Sequence, residues 1–348
     1  NLEITHDDTA TDDDIWFRDG IEILRKPSSH IILKDLYIHH IDEMGINIQD
    51  VNNLQIINCR IEYCGFGAIG GPEGKHGGLR NVKIEKCRLS YSGHYYQGGD
   101  GSGNPYDRPD GFGIEPSQGP VEIVDTIAEH NKGDGLDSKA EKTYIRRCIV
   151  ANNSCDGVKI WGDGSKVENT LIYGRGDGDP SETPWGSIVI DQVEKENARF
   201  EIVNVTVDSE VFGSIMYVQI DASYKEIPIQ IIIRNSIFCG RGNNNTIDIG
   251  ESVDLIVENN LFYAPKSNYI LSYKGEEYTS QNIGNLGKGN IYGDPLFISP
   301  AWGKVGDYHL KDGSPAIDKG TSIGAPNHDL EGKPRPKGKG YDMGCYEK

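Results

Sequence analysis

The chain predicts an all-β fold, a right-handed parallel β-helix with a C-terminal capping segment, and three observations carry that prediction. The phrases DGFGIE from Asp110, DGLDSK from Asp134 and DGVKIW from Asp156 recur 24 and 22 residues apart, the period of one solenoid coil. A second ladder (ILKDLYI, QIINCRI, KIEKCRL, EIVDTIA, YIRRCIV, VENTLIY, EIVNVTV, IIRNSIF and IVENNLF) recurs between and beyond these phrases. The composition, with 44 glycines and only 36% hydrophobic residues, suits many short strands joined by turns, since each coil needs positive-φ corners. No long amphipathic run argues for helices.

Taken in order, residues 1–18 are polar and acid-rich and read as an entry or cap segment. The β-helix is expected over residues 19–275. Its early coils carry DGIEI at Asp19–Ile23, GINI at Gly45–Ile48 and the looser GFGAIG at Gly65–Gly70. In the second ladder the positions before the small residue are Asp35, Asn58, Lys86, Asp125, Arg147, Asn169, Asn204, Asn235 and Asn259. Their shortest separation, 22 residues, marks the bare coil, and longer ones mark insertions. A single coil is too thin to bury a core, so each depends on its neighbours. Beyond Tyr263 the pattern fades, and residues 276–348, with DPLF at Asp294 and DGSPAID at Asp312–Asp318, read as a cap over the last coil's open edge.

The net charge of −18 excludes a nucleic-acid groove, which needs clustered Lys and Arg. It leaves room for an acidic partner if bound cations intervene. Seven cysteines are an odd number. Cys59, Cys87 and Cys148 share a ladder position with Thr126 and Thr170, which marks an interior row of small residues and not a disulfide framework. No apolar run approaches the ~20 residues that span a bilayer, so no membrane partner is expected. A monomer is expected. No signal peptide precedes Asn1, so export is not read directly from the chain.

The chemistry concentrates in the three central phrases. After each Asp-Gly an apolar residue (Phe112, Leu136, Val158) alternates with Gly113, Asp137 or Lys159, a period of two that turns the second set outward. Parallel stacking then brings Asp110, Asp134, Asp137 and Lys159 onto one surface within a few strand spacings of ~4.8 Å. Asp-Gly pairs also make turns, which accounts for Asp134 and Asp156 but not for Asp137 in mid-strand. Converging carboxylates call for a cation, and calcium, with 6–8 oxygens in flexible geometry, suits a strand surface better than magnesium. A lysine beside a divalent cation is a candidate base for a proton α to a carboxylate. Lys139, one coil earlier, is the competing lysine. The insertion before Asp110 holds Tyr95, Tyr96, Tyr106 and Arg108; Trp161 closes the third phrase and Trp185 follows another insertion. Such side chains beside a polar groove suit sugar rings, and they equally suit the sealing of loops.

The stretch DGFGIEPSQGPVEIVDTIAEHNKGDGLDSK, followed by NNSCDGVKIWG, resembles the core of polysaccharide lyase family 9, whose members are pectate-lyase-like parallel β-helices. The resemblance covers about residues 110–162. It implies a secreted, periplasmic or cell-surface enzyme that cleaves a uronate-containing, pectate-like polysaccharide by calcium-dependent β-elimination. By that resemblance Asp110, Asp134 and Asp137 match calcium ligands, and Lys159 matches the base that takes the C5 proton. The chain departs from the family at Gly133, where an acid is expected, and at Val158, where an aromatic is expected. Two other functions fit the same fold: a glycoside hydrolase using a pair among Asp110, Asp134, Asp137 and Asp156, and a carbohydrate-binding β-helix without catalysis.

Overall fold

Three strands per coil, separated by sharp corners, wind the chain into a right-handed parallel β-helix. The computed structural model describes residues 2–6, 17–95, 109–175, 186–191, 195, 197–209, 213–218, 228–250 and 252–348. Among these, strands stack into two 11-stranded sheets and one 9-stranded sheet, each running the length of the molecule. We call them the flank sheet (from Leu2–Thr5 to Ile291–Tyr292), the groove sheet (from Asp19–Ile23 to Glu276–Tyr278) and the back sheet (from Ser28–Lys34 to Val253–Glu258). Strand Leu2–Thr5 pairs with Leu36–Ile41, so the entry segment begins the first coil instead of lying loose.

The period-two alternation is realised in register. Ile46, Ile69, Phe112, Leu136, Val158, Ile188, Met216, Ile247 and Leu271 form one inward column of the groove sheet. All are fully buried, and each contributes about 1.5–3 kcal/mol by leaving water.

The second ladder of the sequence marks the corner between the back and flank sheets. Asp35, Asn58, Lys86, Asp125, Arg147, Asn169, Asn204, Asn235 and Asn259 all have φ between 45° and 57°. A single left-handed residue turns the chain there, and asparagine and aspartate tolerate that conformation best among residues with a side chain. The small residue that follows points inward and bonds back: Thr126 Oγ1 donates to the Val124 carbonyl at 3.0 Å and Thr170 Oγ1 to that of Glu168 at 2.9 Å. Cys59, Cys87 and Cys148 occupy the same row, buried, and all seven cysteines are free.

A polar ladder not anticipated from the sequence lies at the corner where the flank sheet turns into the groove sheet. The fully buried Asn131 accepts from the Ser92 amide at 3.0 Å and donates to Asn153 Oδ1 at 2.9 Å, and Asn153 donates to the Ala128 carbonyl at 3.0 Å. A Cβ on Gly111 would lie 2.7 Å from Asn131 Nδ2, and one on Gly135 2.7 Å from Asn153 Nδ2. At Gly111 and Gly135 the asparagine behind, together with the carbonyl of the next coil's glycine at 2.7 Å, leaves no room for a side chain. Asn131→Ala strands the Ser92 amide and is expected to cost about 1–3 kcal/mol. A urea midpoint unchanged from wild type would refute this account of the ladder.

The C-terminal segment does more than cover an end. Its strand Glu276–Tyr278 pairs antiparallel with Leu271–Tyr273 and closes the groove sheet. The remainder runs back along the corner of the helix, clipped by outward-pointing asparagines of the second ladder. Asn169 donates to the His328 carbonyl at 2.5 Å, Asn204 to that of Asp342 at 3.1 Å, Asn235 to that of Thr321 at 2.8 Å and Asn259 to that of Lys319 at 2.9 Å. Within the segment, Arg335 donates to Glu347 Oε2 at 2.7 Å with both side chains fully buried. Tyr308, Leu310, Met343 and Cys345 pack on Leu171, Tyr173 and Ile237 of the flank sheet in a second apolar core.

Candidate active site and cation centre

The three central phrases lie on adjacent strands of the groove sheet, Asp110–Ser117, Leu136–Ala140 and Val158–Ile160. Gly113 pairs with Asp137 and Asp137 with Lys159, so the outward column runs Asn47, Gly70, Gly113, Asp137, Lys159, Val189, Tyr217 and Asp248.

Each aspartate that opens a phrase has a structural task. Asp110 Oδ1 accepts from the Asp134 amide at 2.7 Å, Asp134 Oδ1 from the Asp156 amide at 2.8 Å, and Asp156 Oδ1 from the Gly186 amide at 3.0 Å. One carboxylate oxygen of each is thus engaged by the backbone of the next coil, which is the turn role expected of Asp-Gly pairs. The second oxygen of Asp110 lies over Gly113, where a Cβ would come within 2.4 Å of it. The second oxygen of Asp134 lies 3.3 Å from Lys159 Nζ.

Asp110, Asp134 and Asp137 offer oxygens that all lie within 4.8 Å of one another. Asp137 Oδ2 is 3.4 Å from Lys159 Nζ and 4.0 Å from Lys139 Nζ, while its buried Oδ1 has no hydrogen-bond partner. Burial, reinforced by Asp134 and Asp137, pushes the Asp110 carboxyl well above the usual carboxylate range. Burial also pushes Asp137 up to about 7, although Lys159 opposes the shift. For Lys159 itself burial pulls the pKa down, but Asp134, Asp137, Asp156 and Asp110 outweigh it and hold the side chain as an ammonium. A base needs the neutral amine, which is not the state that these carboxylates alone produce.

Lys139, the competing lysine, also reaches the groove. It donates to Glu115 Oε1 at 2.8 Å and lies 4.8 Å from the Trp161 ring centroid. Lys159 stands 5.7 Å from the same ring, so Trp161 lies beside both cations as expected of a groove aromatic. Trp161 and Lys139 also line a cleft of about 370 Å³ whose far wall carries Glu73, Asp163 and Lys195.

Tyr95 is not brought to the carboxylates: its ring packs edge-on against His40, 5.0 Å between centroids. There it joins a corner stack in which His40, Tyr63, Tyr91 and His130 lie face to face at centroid spacings of 5.2, 4.8 and 5.2 Å. Tyr96, Tyr106, Arg108 and Trp185 lie outside the described residues. Sequence reasoning missed Gly70 and Gly113 as site elements. Their signal was present, since both occupy the outward position that holds a functional side chain in the next two coils.

A family model described as a right handed beta helix region matches residues 9–172. No curated protein matches the chain. Among solved structures, the crystal structure of pectate lyase Pel9A aligns with a TM-score of 0.47 and 12% identity, over 95% of this chain and 88% of that one. Among the described residues, no helix is long and apolar enough to cross a membrane.

Proposed function

We propose that the protein is a calcium-dependent polysaccharide lyase that cleaves a uronate-containing polymer by β-elimination, with Lys159 as the base. The observation that supports it most is charge balance. Three carboxylates within 4.8 Å of one another face Lys159 at 3.3–3.4 Å and Lys139 at 4.0 Å, and Lys139 also serves Glu115, so the fully ionised cluster of four acids and two lysines keeps two negative charges uncompensated. A divalent cation supplies that charge, and the orphaned Asp137 Oδ1 is an oxygen ready to ligate it. Asp110, Asp134 and Asp137 would hold the ion, with water and the substrate carboxylate completing its shell.

Bound calcium would contribute Lewis-acid withdrawal from the uronate carboxylate, which acidifies the C5–H bond. With the ion held by Asp110, Asp134 and Asp137, the uronate ring would lie over the outward column, with C5–H toward Lys159. Once the local negative charge is compensated, Lys159 loses its hold on its own proton and the free amine can accept one. Lys159 takes the proton from C5, the electron pair forms the C4–C5 double bond, and the C4–O bond breaks. The leaving oxygen takes a proton from water. Such a polymer is met outside the cell, so a secreted, periplasmic or cell-surface setting accompanies this reading.

The glycoside hydrolase fits less well. An inverting pair needs carboxyls about 6.5–9.5 Å apart and a retaining pair about 5–5.5 Å, on opposite sides of the scissile bond. Here oxygens of Asp110, Asp134 and Asp137 come within 4.8 Å of one another on one face of one sheet, and do not flank a bond from two sides. Incubation with polyuronates should raise ultraviolet absorbance from a new conjugated double bond in calcium and not in chelator. Reducing ends released without that absorbance would give the site to the hydrolase.

A further inference from the structure

Next to the carboxylates, on the side of the earlier coils, lies a cleft of about 340 Å³ that touches Asp110, Gly113 and Asp137. Its floor is nearly bare backbone. Gly67 and Gly113 line it, and Gly70 takes the outward strand position between Asn47 and Gly113. Neither Gly70 nor Gly113 can carry a side chain without displacement: a Cβ would come within 2.5 Å of Met44 Cε in one case and 2.4 Å of Asp110 Oδ2 in the other. The walls are apolar, formed by Met44, Pro72 and Phe66, and Phe66 is 43% exposed despite its size.

Acids outnumber cations among the charged groups at this cleft. Glu43, Glu115, Asp110 and Asp137 border it, and the only cation among its described lining residues is Lys139, which is bound to Glu115 at 2.8 Å. Arg18, nearby, is tied to Asp19 at 3.1 Å and Glu43 at 3.4 Å. With Asp110 and Asp137 given to the cation centre, a second sugar carboxylate placed here would face Glu43 and Glu115 and find each neighbouring cation already engaged, Lys139 by Glu115 and Arg18 by Asp19 and Glu43, whereas glycine backbone beside an exposed phenyl ring accepts the apolar face of an uncharged pyranose.

We infer that this cleft is a subsite for an uncharged sugar, so that the substrate is a mixed polymer in which a uronate is followed by a neutral ring. This rests on the proposed placement of a uronate at the carboxylate centre. One coil separates Gly113 from Asp137, a ~4.8 Å step that sets adjacent rings of one chain in adjacent sites. The acid rim then acts as selection against homopolymers, because like-charge juxtaposition rejects a second uronate.

The test is binding, with chemistry as a separate readout. Lys159→Ala protein in calcium is titrated with a homogalacturonate oligosaccharide and with an alternating galacturonate–rhamnose oligosaccharide of equal length. The alternating probe is expected to bind about tenfold tighter. Phe66→Ala should remove most of that advantage while leaving the homopolymer unchanged, and Glu43→Arg should narrow the gap by improving the homopolymer. Equal or tighter binding of the homopolymer, or no binding of the alternating probe, overturns the inference. Unsaturated products from homogalacturonate with wild-type protein would in that case show that the lyase reading stands without it. Preferential binding of the alternating probe, with no unsaturated product from either polymer, would support the subsite while the lyase reading falls.

Discussion

Lys159→Ala is expected to lower elimination by about 10²–10⁴-fold while leaving polysaccharide binding nearly intact, because loss of a general base removes a proton acceptor and not a binding surface. Lys159→Arg should fail almost as badly, since a guanidinium stays protonated at any working pH. The pH dependence follows from the surroundings of the amine. Asp134 and Asp137 lie at 3.3 and 3.4 Å and hold Lys159 protonated, so activity must rise with pH as the ammonium is lost. Added positive charge among the carboxylates opposes that stabilisation, so the rising limb should move to lower pH as calcium is raised. Lys139→Ala is the control: that lysine is bound to Glu115 at 2.8 Å, so its removal should alter affinity more than turnover. Rates of unsaturated product formation across pH, at two calcium concentrations, check all of this. Full activity in Lys159→Ala, with loss in an aspartate variant and products lacking the double bond, would end the lyase reading.

What could be read from the chain was what repeats along it. Asp110, Asp134, Asp137 and Lys159 were placed on one surface because a strand turns alternate residues outward and a 22-residue coil returns the same position to the next strand. The nine-fold ladder from Asp35 to Asn259 was legible for the same reason, though its cause, a left-handed corner residue, emerged only from the backbone. Asn131 and Asn153 stand three residues before Asp134 and Asp156, a repeat that was visible but masked by the usual reading of asparagine as a surface turn residue. The flanking course of the C-terminal segment was not legible. Contacts such as Asn169 with His328 join residues 159 apart, and no period links the two partners. Lys139 obeys the same alternation: two residues after Asp137 on one strand, it too faces outward, where it reaches Glu115 and the Trp161 ring.

Calcium is expected to stabilise the fold, and by more at pH 8 than at pH 5. Without the ion, Asp137 titrates near 7 and Asp110 well above the ordinary range, whereas in the unfolded chain both titrate near ~3.9. The folded protein therefore binds more protons than the unfolded one between those values. Stability then falls as pH rises from about 4 toward 7, by up to ~1.4 kcal/mol per pH unit for each proton involved. Asp137 contributes no further loss once the pH is well above 7. Calcium occupies the deprotonated centre, offsets the repulsion and flattens that slope. At a free concentration a thousand times its Kd it adds about 4 kcal/mol. Asp137→Asn separates this effect from that of other buried acids such as Asp208, which meets Tyr308 of the C-terminal segment, and Asp342 within that segment, both also shifted upward by burial. The variant should gain stability over calcium-free wild type at pH 8, because a buried charge is gone, and should lose most of the calcium response. Thermal or urea unfolding at both pH values, with calcium and with chelator, measures each term. A wild-type protein whose unfolding at pH 8 is indifferent to calcium would show that these carboxylates hold no ion, and would end the calcium reading of the site.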